Sequence, residues 1–128
     1  MYRIYVAGAY SVGDVAVNVR TAMDVADELL NAGFAPYCPH LTHFLHMHNP
    51  HTYETWCALD NEFVTVCDGL LRMPGESKGA DAEVALARAN NIPVYSYGID
   101  CQYRNLASII AHMKLVDFAD YHSRYLSS

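Results

Sequence analysis

The chain has 128 residues, of which 52% are hydrophobic and 17% are charged, a composition typical of a globular protein and not of a disordered one. Its formal net charge of -6 excludes the broad basic surface that binding to DNA or RNA requires, so we expect no nucleic-acid polymer as a partner. The length suits one hydrophobic core, and we predict a single domain over residues 1–128.

The cysteines and the apolar runs indicate a cytoplasmic protein. Four cysteines are scattered along the chain without a C-x-x-C pair, which is typical of reduced and mostly buried thiols: Cys38, Cys57, Cys67 and Cys101. The N-terminus has no signal-peptide pattern, and no apolar run approaches the ~20 residues that a membrane span needs. We therefore expect a cytoplasmic location and no contact with a membrane.

The first third of the chain predicts a strand, a helix and a second strand. Residues 3–8 form a β-branched and aromatic run that ends at a glycine, as in a strand buried on both faces. After a turn over residues 8–11, Asp14 is a suitable N-cap for a long amphipathic helix that stops at Gly33. Residues 34–38 then predict an outer strand.

Five of the seven histidines follow within one short segment: His40, His43, His46, His48 and His51. Their spacing is not that of a zinc site, because there is no H-E-x-x-H and no cysteine pair nearby, and we predict no metal. We interpret the segment as a loop whose histidines line a pocket or face solvent. His40 and His43 are the best placed to contact a ligand, since they come directly after a strand.

The middle of the chain predicts a second helix and a third strand. Thr52 is a suitable cap for a helix that ends near Cys67 and carries an apolar face formed by Trp56, Leu59 and Phe63. A strand opened by Asp68 follows and ends at Met73.

A glycine-rich turn over residues 75–83 leads from this third strand into an alanine-rich helix. The first amides of a helix lack partners, so the N–H groups of residues 77–80 form a predicted nest for a phosphate or another anion, with Arg72 and Lys78 as the nearest cations. Glu83 follows in the first turn of this helix. It either complements the helix dipole or serves as a nucleophile beside a bound sugar phosphate, and Ser77 correspondingly caps the helix or binds the anion.

A fourth strand over residues 92–97 and a last helix over residues 105–114 complete the pattern. Alternating strands and helices predict an α/β fold, a flavodoxin/Rossmann-like three-layer sandwich with a mainly parallel sheet of four to five strands. In such sheets the ligand lies beyond the carboxyl ends of the strands. This edge collects the turn after the first strand, the histidine-rich segment and the turn at Ser77.

The two aspartates of the second helix region fall at opposite edges of the predicted sheet. Asp60 lies eight positions before Asp68, about 12 Å back along the helix and on the same side as Glu83. Asp68 remains at the far edge, where a structural role is expected. Asp60 is either a pocket carboxylate beside Trp56 or an ordinary solvated side chain.

Three pieces of sequence, taken together, resemble the nucleoside 2-deoxyribosyltransferase superfamily, and are nearest in motif to its 2'-deoxynucleoside 5'-phosphate N-hydrolases. They are residues 4–8, residues 56–60 with 67–68, and residues 77–83 with Ala87. The resemblance implies that Glu83 attacks the anomeric carbon of deoxyribose, that Asp60 handles the proton on the base, and that Tyr5 hydrogen-bonds the nucleophile. It covers roughly the first three quarters of the chain.

The residue six positions before the glutamate distinguishes the two activities of this superfamily. The transferases have an aspartate there that binds the 5'-hydroxyl, whereas the nucleotide hydrolases have a serine that accepts the 5'-phosphate, and this chain has Ser77. A carboxylate would repel a phosphate, while a hydroxyl with free amides donates to it. The substrate-binding residues predicted at this edge are Gly8, Ala9, Tyr10, Ser11, His40, His43, Trp56, Ser77 and Gly79.

The expected activity is hydrolysis of the N-glycosidic bond of a deoxynucleoside 5'-monophosphate, a small-molecule substrate, without any cofactor. A transferase that passes the sugar to a second base, a phosphoribohydrolase and a catalytically silent nucleotide-binding module are the alternatives. The phosphoribohydrolases carry a richer glycine run before their glutamate. The resemblance also implies a homodimer, for which Tyr121 and Tyr125 are candidate interface residues.

Overall fold

Residues 1–118 are described by a computed structural model, and they alternate between strands and helices. The strands are β1 (Arg3–Ala7), β2 (Ala35–Tyr37), β3 (Gly69–Arg72) and β4 (Val94–Ser96). The helices are α1 (Val15–Asn31), a short 3-10 helix (Pro39–Leu41), α2 (Thr42–His48), α3 (Tyr53–Val64), α4 (Lys78–Ala89) and α5 (Leu106–Met113).

The four strands form one parallel sheet in the order β2-β1-β3-β4. The central strands β1 and β3 are almost entirely buried, whereas β2 lies at an edge, where the missing N–H of Pro36 is tolerated. The carboxyl ends of β1 and β3 meet, since Ala7 is in register with Arg72. The predicted parallel arrangement and the outer position of the second strand are confirmed.

Alternate residues of β1 face two separate apolar layers, which makes the fold a three-layer sandwich. Ile4 and Val6 pack in the cluster that includes side chains of α1 and α5, and Tyr5 and Ala7 pack in the cluster that includes Val64 at the end of α3 and buried alanines of α4. This alternation follows from the two-residue period of a strand. The α/β class and the Rossmann-like arrangement predicted from the sequence are confirmed.

Side-chain caps fix where the helices begin. Asp14 accepts the Val17 N–H at 3.1 Å and Thr52 accepts the Thr55 N–H at 3.2 Å, as the sequence predicted. Each cap satisfies one of the amides that a helix start leaves without a partner. The starts of α1 and α3 are therefore determined locally.

The prediction of a loop over the histidine-rich segment was wrong, because most of it is helical. The 3-10 helix starts with Pro39 at its first position, and α2 follows at once over seven residues. Residues 42–48 contain neither glycine nor proline, so nothing in them opposes a helix, and Pro50 prevents its continuation. The histidines therefore stand on a helix with fixed spacing.

Helix α3 ends at Val64, three residues earlier than predicted, and its apolar face is rotated from the predicted one. Leu59 and Phe63 are 36% and 37% exposed, while Trp56 and Asp60 turn toward the interior above the buried Val64. Trp56, Asp60 and Val64 are spaced four residues apart, which places them on one helical face. Phe63 lies at the border of this face, where its ring stacks on that of Tyr37 in β2 at a centroid distance of 4.3 Å.

The two remaining expectations concern the amino-terminal edge of the sheet and the end of the chain. Asp68 accepts the Arg3 N–H at 2.7 Å, which confirms its structural role at that edge. Tyr121 and Tyr125 lie outside the described residues. Among residues 1–118, no helix is both long enough and apolar enough to cross a membrane.

Candidate active site

A cavity of about 800 Å³ opens at the carboxyl edge of the sheet. It lies among the turn after β1, the start of α2, one face of α3 and the N-terminus of α4. Ten of the twelve predicted site residues line it: Gly8, Tyr10, Ser11, His40, His43, Trp56, Asp60, Ser77, Gly79 and Glu83. The volume is within the ~300–1,000 Å³ range of small-molecule sites.

Two of the predicted residues are set back from the cavity wall. Tyr5 is fully buried in β1, directly behind Glu83, and Ala9 presents its backbone carbonyl to His40. Tyr5 and Ala9 therefore contact residues of the cavity wall, Glu83 and His40.

Glu83 stands in the second turn of α4 and not in the first, where it was predicted, because the helix begins only at Lys78. Its carboxylate accepts a hydrogen bond from the Tyr5 hydroxyl. The pKa of Glu83 is raised to about 7, mainly by burial and in smaller part by the negative charge of Asp60. The Tyr5 hydrogen bond and the charge of Arg72 act in the opposite direction, because both favour the carboxylate. The group therefore changes its protonation state near neutral pH.

Tyr5 is suited to be a permanent hydrogen-bond donor to Glu83. Burial, followed by the negative charge of Glu83, raises the pKa of its phenol far above the ordinary value. The phenol accordingly stays protonated at any physiological pH. It fixes one carboxylate oxygen of Glu83 and leaves the other to face the cavity.

Asp60 lies in the cavity wall on α3, so of its two interpretations the structure agrees with the pocket carboxylate. Burial raises its pKa to about 6. Its Oδ1 atom is buried and has no hydrogen-bond partner within residues 1–118. An unpaired buried carboxyl oxygen is costly, and a ligand group that donates to it would remove that cost.

The turn before α4 provides fewer free amides than the sequence predicted. Ser77 is buried and its Oγ accepts the Ala80 N–H at 3.0 Å, so the prediction that Ala80 contributes a free amide was wrong. The N–H groups of Lys78 and Gly79 belong to the first turn and have no carbonyl partner within the helix. They lie at the cavity beside the exposed Lys78 side chain.

His40 is buried, and its Nε2–H donates to the Ala9 carbonyl at 2.9 Å. Burial lowers the pKa of His40, so the ring is neutral and holds the turn after β1 in place. Its Nδ1 atom has no hydrogen-bond partner in the described part of the chain. His43 shares a hydrogen bond of 2.5 Å with the Tyr10 hydroxyl, which ties α2 to the same turn.

The outer wall of the cavity is an aromatic cluster that joins α2 to α3. The Trp56 Nε1–H donates to His46 Nδ1 at 2.9 Å, and the backbone N–H of His51 donates to the same atom at 3.2 Å. Both histidine rings pack edge-on against the indole. Within residues 1–118, no group of three or more potential ligands is arranged to hold a metal ion.

Sequence reasoning missed several residues that line the cavity. Tyr53, Cys57 and Asn61 also line the cavity from α3. Cys57 lies three positions and Tyr53 seven positions before Asp60, so helical spacing counted back from Asp60 would have found both. The Tyr53 hydroxyl would lie 3.6 Å from a Cβ atom at Gly79, so it borders the amides of α4. The contact of His46 with Trp56 depends on tertiary packing and has no local signal.

Solved structures of other proteins share this fold. A conserved protein from Enterococcus faecalis V583 has a TM-score of 0.60 at 21% sequence identity, over 90% of this chain and 72% of that one. A 2-deoxyribosyltransferase from Bacillus psychrosaccharolyticus has a TM-score of 0.57 at 17% identity, over 93% of this chain and 95% of that one. At these identities the likeness is one of fold.

Comparison of sequences assigns the family. No curated protein matches the chain. Residues 2–97 match the family described as a domain of unknown function, DUF7768, and this span includes the whole sheet and every residue of the cavity wall. The chain therefore belongs to the DUF7768 family.

Proposed function

We propose that this protein hydrolyses the N-glycosidic bond of a 2'-deoxynucleoside 5'-monophosphate and releases the free base and deoxyribose 5-phosphate. The observation that carries the proposal is the position of Glu83, which Tyr5 holds at a cavity whose wall also includes the first turn of α4. A fixed carboxylate suits attack on a sugar carbon, and free amides suit a phosphate. The fold shared with a 2-deoxyribosyltransferase agrees with this chemistry.

Three groups support a phosphate at the 5' position. The amides of Lys78 and Gly79 point away from the helix, the Ser77 hydroxyl can donate its hydrogen while its oxygen caps Ala80, and the Lys78 ammonium adds a charge. The exposed Glu76 beside them also lines the cavity, and these donors must outweigh its negative charge. In a chain of net charge -6, this local set is what attracts the anion.

The proposed reaction has two steps through a glycosyl ester. Glu83 attacks C1' while the bond from C1' to the base breaks, and Asp60 in its acid form gives its proton to the base. Water then attacks C1', its proton returns to Asp60, and Glu83 leaves as a carboxylate. A histidine of the cavity is the alternative proton donor. His40 is not suited to this role, because its ring is neutral and its Nδ1 atom is without a partner among the described residues.

Protonation of the two carboxyl groups sets the pH range of the reaction. Glu83 must be ionised and Asp60 protonated, while their pKa values are about 7 and about 6. Between these values the pair shares one proton, which resides mostly on Glu83 because its pKa is the higher one, and the active form is the minor one that carries the proton on Asp60. The pH dependence of kcat/KM is therefore a bell with its maximum between about 6 and about 7.

The chemistry of bond cleavage favours deoxyribose over ribose as the sugar. An electron-withdrawing hydroxyl at C2' would destabilise the oxocarbenium-like transition state next to it. A deoxynucleotide therefore reaches that state more easily.

A 2-deoxyribosyltransferase is the second candidate, which the shared fold favours. Its first step is the same, but a second base attacks C1' in place of water. Incubation of a deoxynucleotide with a different free base distinguishes them, because only a transferase forms the exchanged nucleotide.

We also propose a homodimer in which apolar side chains around α2 are covered. Several of them are exposed beside the cavity: Leu41, Phe44, Leu45 and Met47. Light scattering combined with size-exclusion chromatography tests the assembly.

A panel of substrates tests the activity. Base release is measured with ribose and deoxyribose forms, each with and without the 5'-phosphate, and we expect the deoxynucleoside 5'-monophosphates to be cleaved fastest. Thermal stabilisation by these compounds without any base release would instead identify a nucleotide-binding module.

A further inference from the structure

Arg72 is a largely buried cation at the end of β3, beneath the turn that leads into α4. Its side chain is only 14% exposed. The guanidinium donates from Nη1 to the Met73 carbonyl at 2.6 Å, and from Nη2 to the Gly75 carbonyl at 2.9 Å and to Asp81 Oδ1 at 3.0 Å. Arg72 is thus committed to the protein itself and is not a free phosphate ligand.

These three bonds join the end of a strand, a turn and the first turn of a helix. Gly75 has a φ of +112°, which a side chain would oppose, so the turn is held in a special conformation as well as tied down. Ser77 and the amides of Lys78 and Gly79 lie between the two tethered ends. Their position relative to Glu83 therefore depends on Arg72 and on Asp81.

The same guanidinium also acts on the charge of Glu83. The titratable and charged groups that act on or respond to this carboxyl come from β1, β2, α3 and β3: Tyr5, Tyr37, Tyr53, Asp60 and Arg72. Asp60 opposes ionisation of Glu83, whereas the hydrogen bond from Tyr5 and the charge of Arg72 favour it. Arg72 is the positive charge in this set.

We propose that Arg72 and Asp81 form a latch that positions the anion-binding turn for the 5'-phosphate. Arg72 is a positioning residue in this scheme. The latch rests on the proposed function, whereas the titration of Glu83 is a second readout that does not depend on base release.

Substitutions of Arg72 separate its two roles. Arg72→Met removes both the fork of donors and the charge, while Arg72→Lys keeps the charge but cannot reach all three acceptors. We expect Arg72→Met to raise KM for a deoxynucleoside 5'-monophosphate about tenfold and KM for the unphosphorylated deoxynucleoside less than about twofold. Arg72→Lys should show the same KM pattern.

Substitutions of Asp81 test the other end of the latch. This side chain is exposed, so its replacement is not expected to unfold the protein. Asp81→Asn should raise KM for the monophosphate several-fold, whereas Asp81→Glu, which keeps the carboxylate, should have a KM close to that of the wild type. Arg88→Met, which removes an exposed arginine from the last turn of the same helix, is the control and should leave KM unchanged.

The titration of Glu83 is followed directly by carboxyl-carbon NMR, with Glu83→Gln to assign its signal. The midpoint should move to higher pH in Arg72→Met and stay close to that of the wild type in Arg72→Lys. Lower thermal stability of Arg72→Met with an unchanged KM ratio and an unchanged midpoint overturns the proposal, because Arg72 would then serve structure alone.

The experiment also distinguishes the failure of the latch from the failure of the proposed function. If the wild-type protein releases no base from any nucleotide, the proposed function fails and the NMR midpoint alone decides the effect of Arg72. A higher midpoint in Arg72→Met then supports that effect, and an unchanged midpoint overturns it.

Discussion

Replacement of Glu83 by glutamine should abolish base release and also stabilise the protein above neutral pH. Burial raises the pKa of this carboxyl from its ordinary value of 4.5 to about 7. Because the folded protein holds the proton more tightly than the unfolded chain, the stability falls as pH rises from 4.5 through about 7. Glutamine has nearly the same shape, can accept the Tyr5 hydrogen bond and carries no charge.

The expected gain follows from the two pKa values. A tenfold change in an ionisation constant corresponds to about 1.4 kcal/mol, so the difference between 4.5 and about 7 corresponds to about 3 kcal/mol at pH 8. Glutamine is itself a polar group in a partly apolar site, which reduces the gain. We expect Glu83→Gln to raise the free energy of unfolding by about 1–3 kcal/mol and Tm by roughly 3–10 °C.

Thermal and urea unfolding at pH 5 and pH 8 measure this gain. Most of it should disappear at pH 5, where the carboxyl of the folded wild-type protein is already protonated. Glu62→Gln, at an exposed position of α3, is the control and should show no such pH dependence. Equal stability of Glu83→Gln and the wild type at pH 8 would refute the reasoning, because the carboxylate would then suffer no penalty in the folded state.

Three further substitutions test the cavity wall. Asp60→Asn should lower kcat about 10²–10⁴-fold with ordinary deoxynucleotides but much less with N7-methylated purines, whose base leaves without a proton; an equal loss on both would contradict an acid role. Gly8→Ala should destabilise the protein by about 1–3 kcal/mol in urea unfolding, because the added Cβ would lie 3.0 Å from the sulfur of Met73. A double variant that also carries Met73→Ala should lose less stability than the sum of the two single changes. Trp56→Phe removes the hydrogen bond to His46 and should cost about 1 kcal/mol in thermal unfolding, whereas an unchanged Tm would show that this bond adds nothing to the joint between α2 and α3.

Local signals in the sequence were sufficient for most of the fold. Buried apolar runs located β1 and β3, and Asp14 and Thr52 marked helix starts because a cap acts on an amide only three residues away. The parallel sheet followed from the alternation of strands and helices. The same alternation also brought Asp60 and Glu83 to one edge.

What the sequence did not predict depends on contacts between distant segments. Leu59 and Phe63 are apolar and recur at helical spacing although both are more than a third exposed, so periodicity alone selected them over Asp60, which lines the cavity. The histidines were assigned to a loop although residues 42–48 contain no helix breaker and form α2. The tether from Arg72 to Asp81 spans nine residues and a turn, and no spacing rule predicts it.

The central claim is that Glu83 attacks the sugar, and base release by paired variants tests it most directly. Free base is quantified after incubation of a deoxynucleoside 5'-monophosphate with the wild type, with Glu83→Ala and with the Glu62→Gln control. We predict steady release by the wild type and by the control, and a loss of at least about 10³-fold in Glu83→Ala. Release by Glu83→Ala at the wild-type rate would contradict the claim.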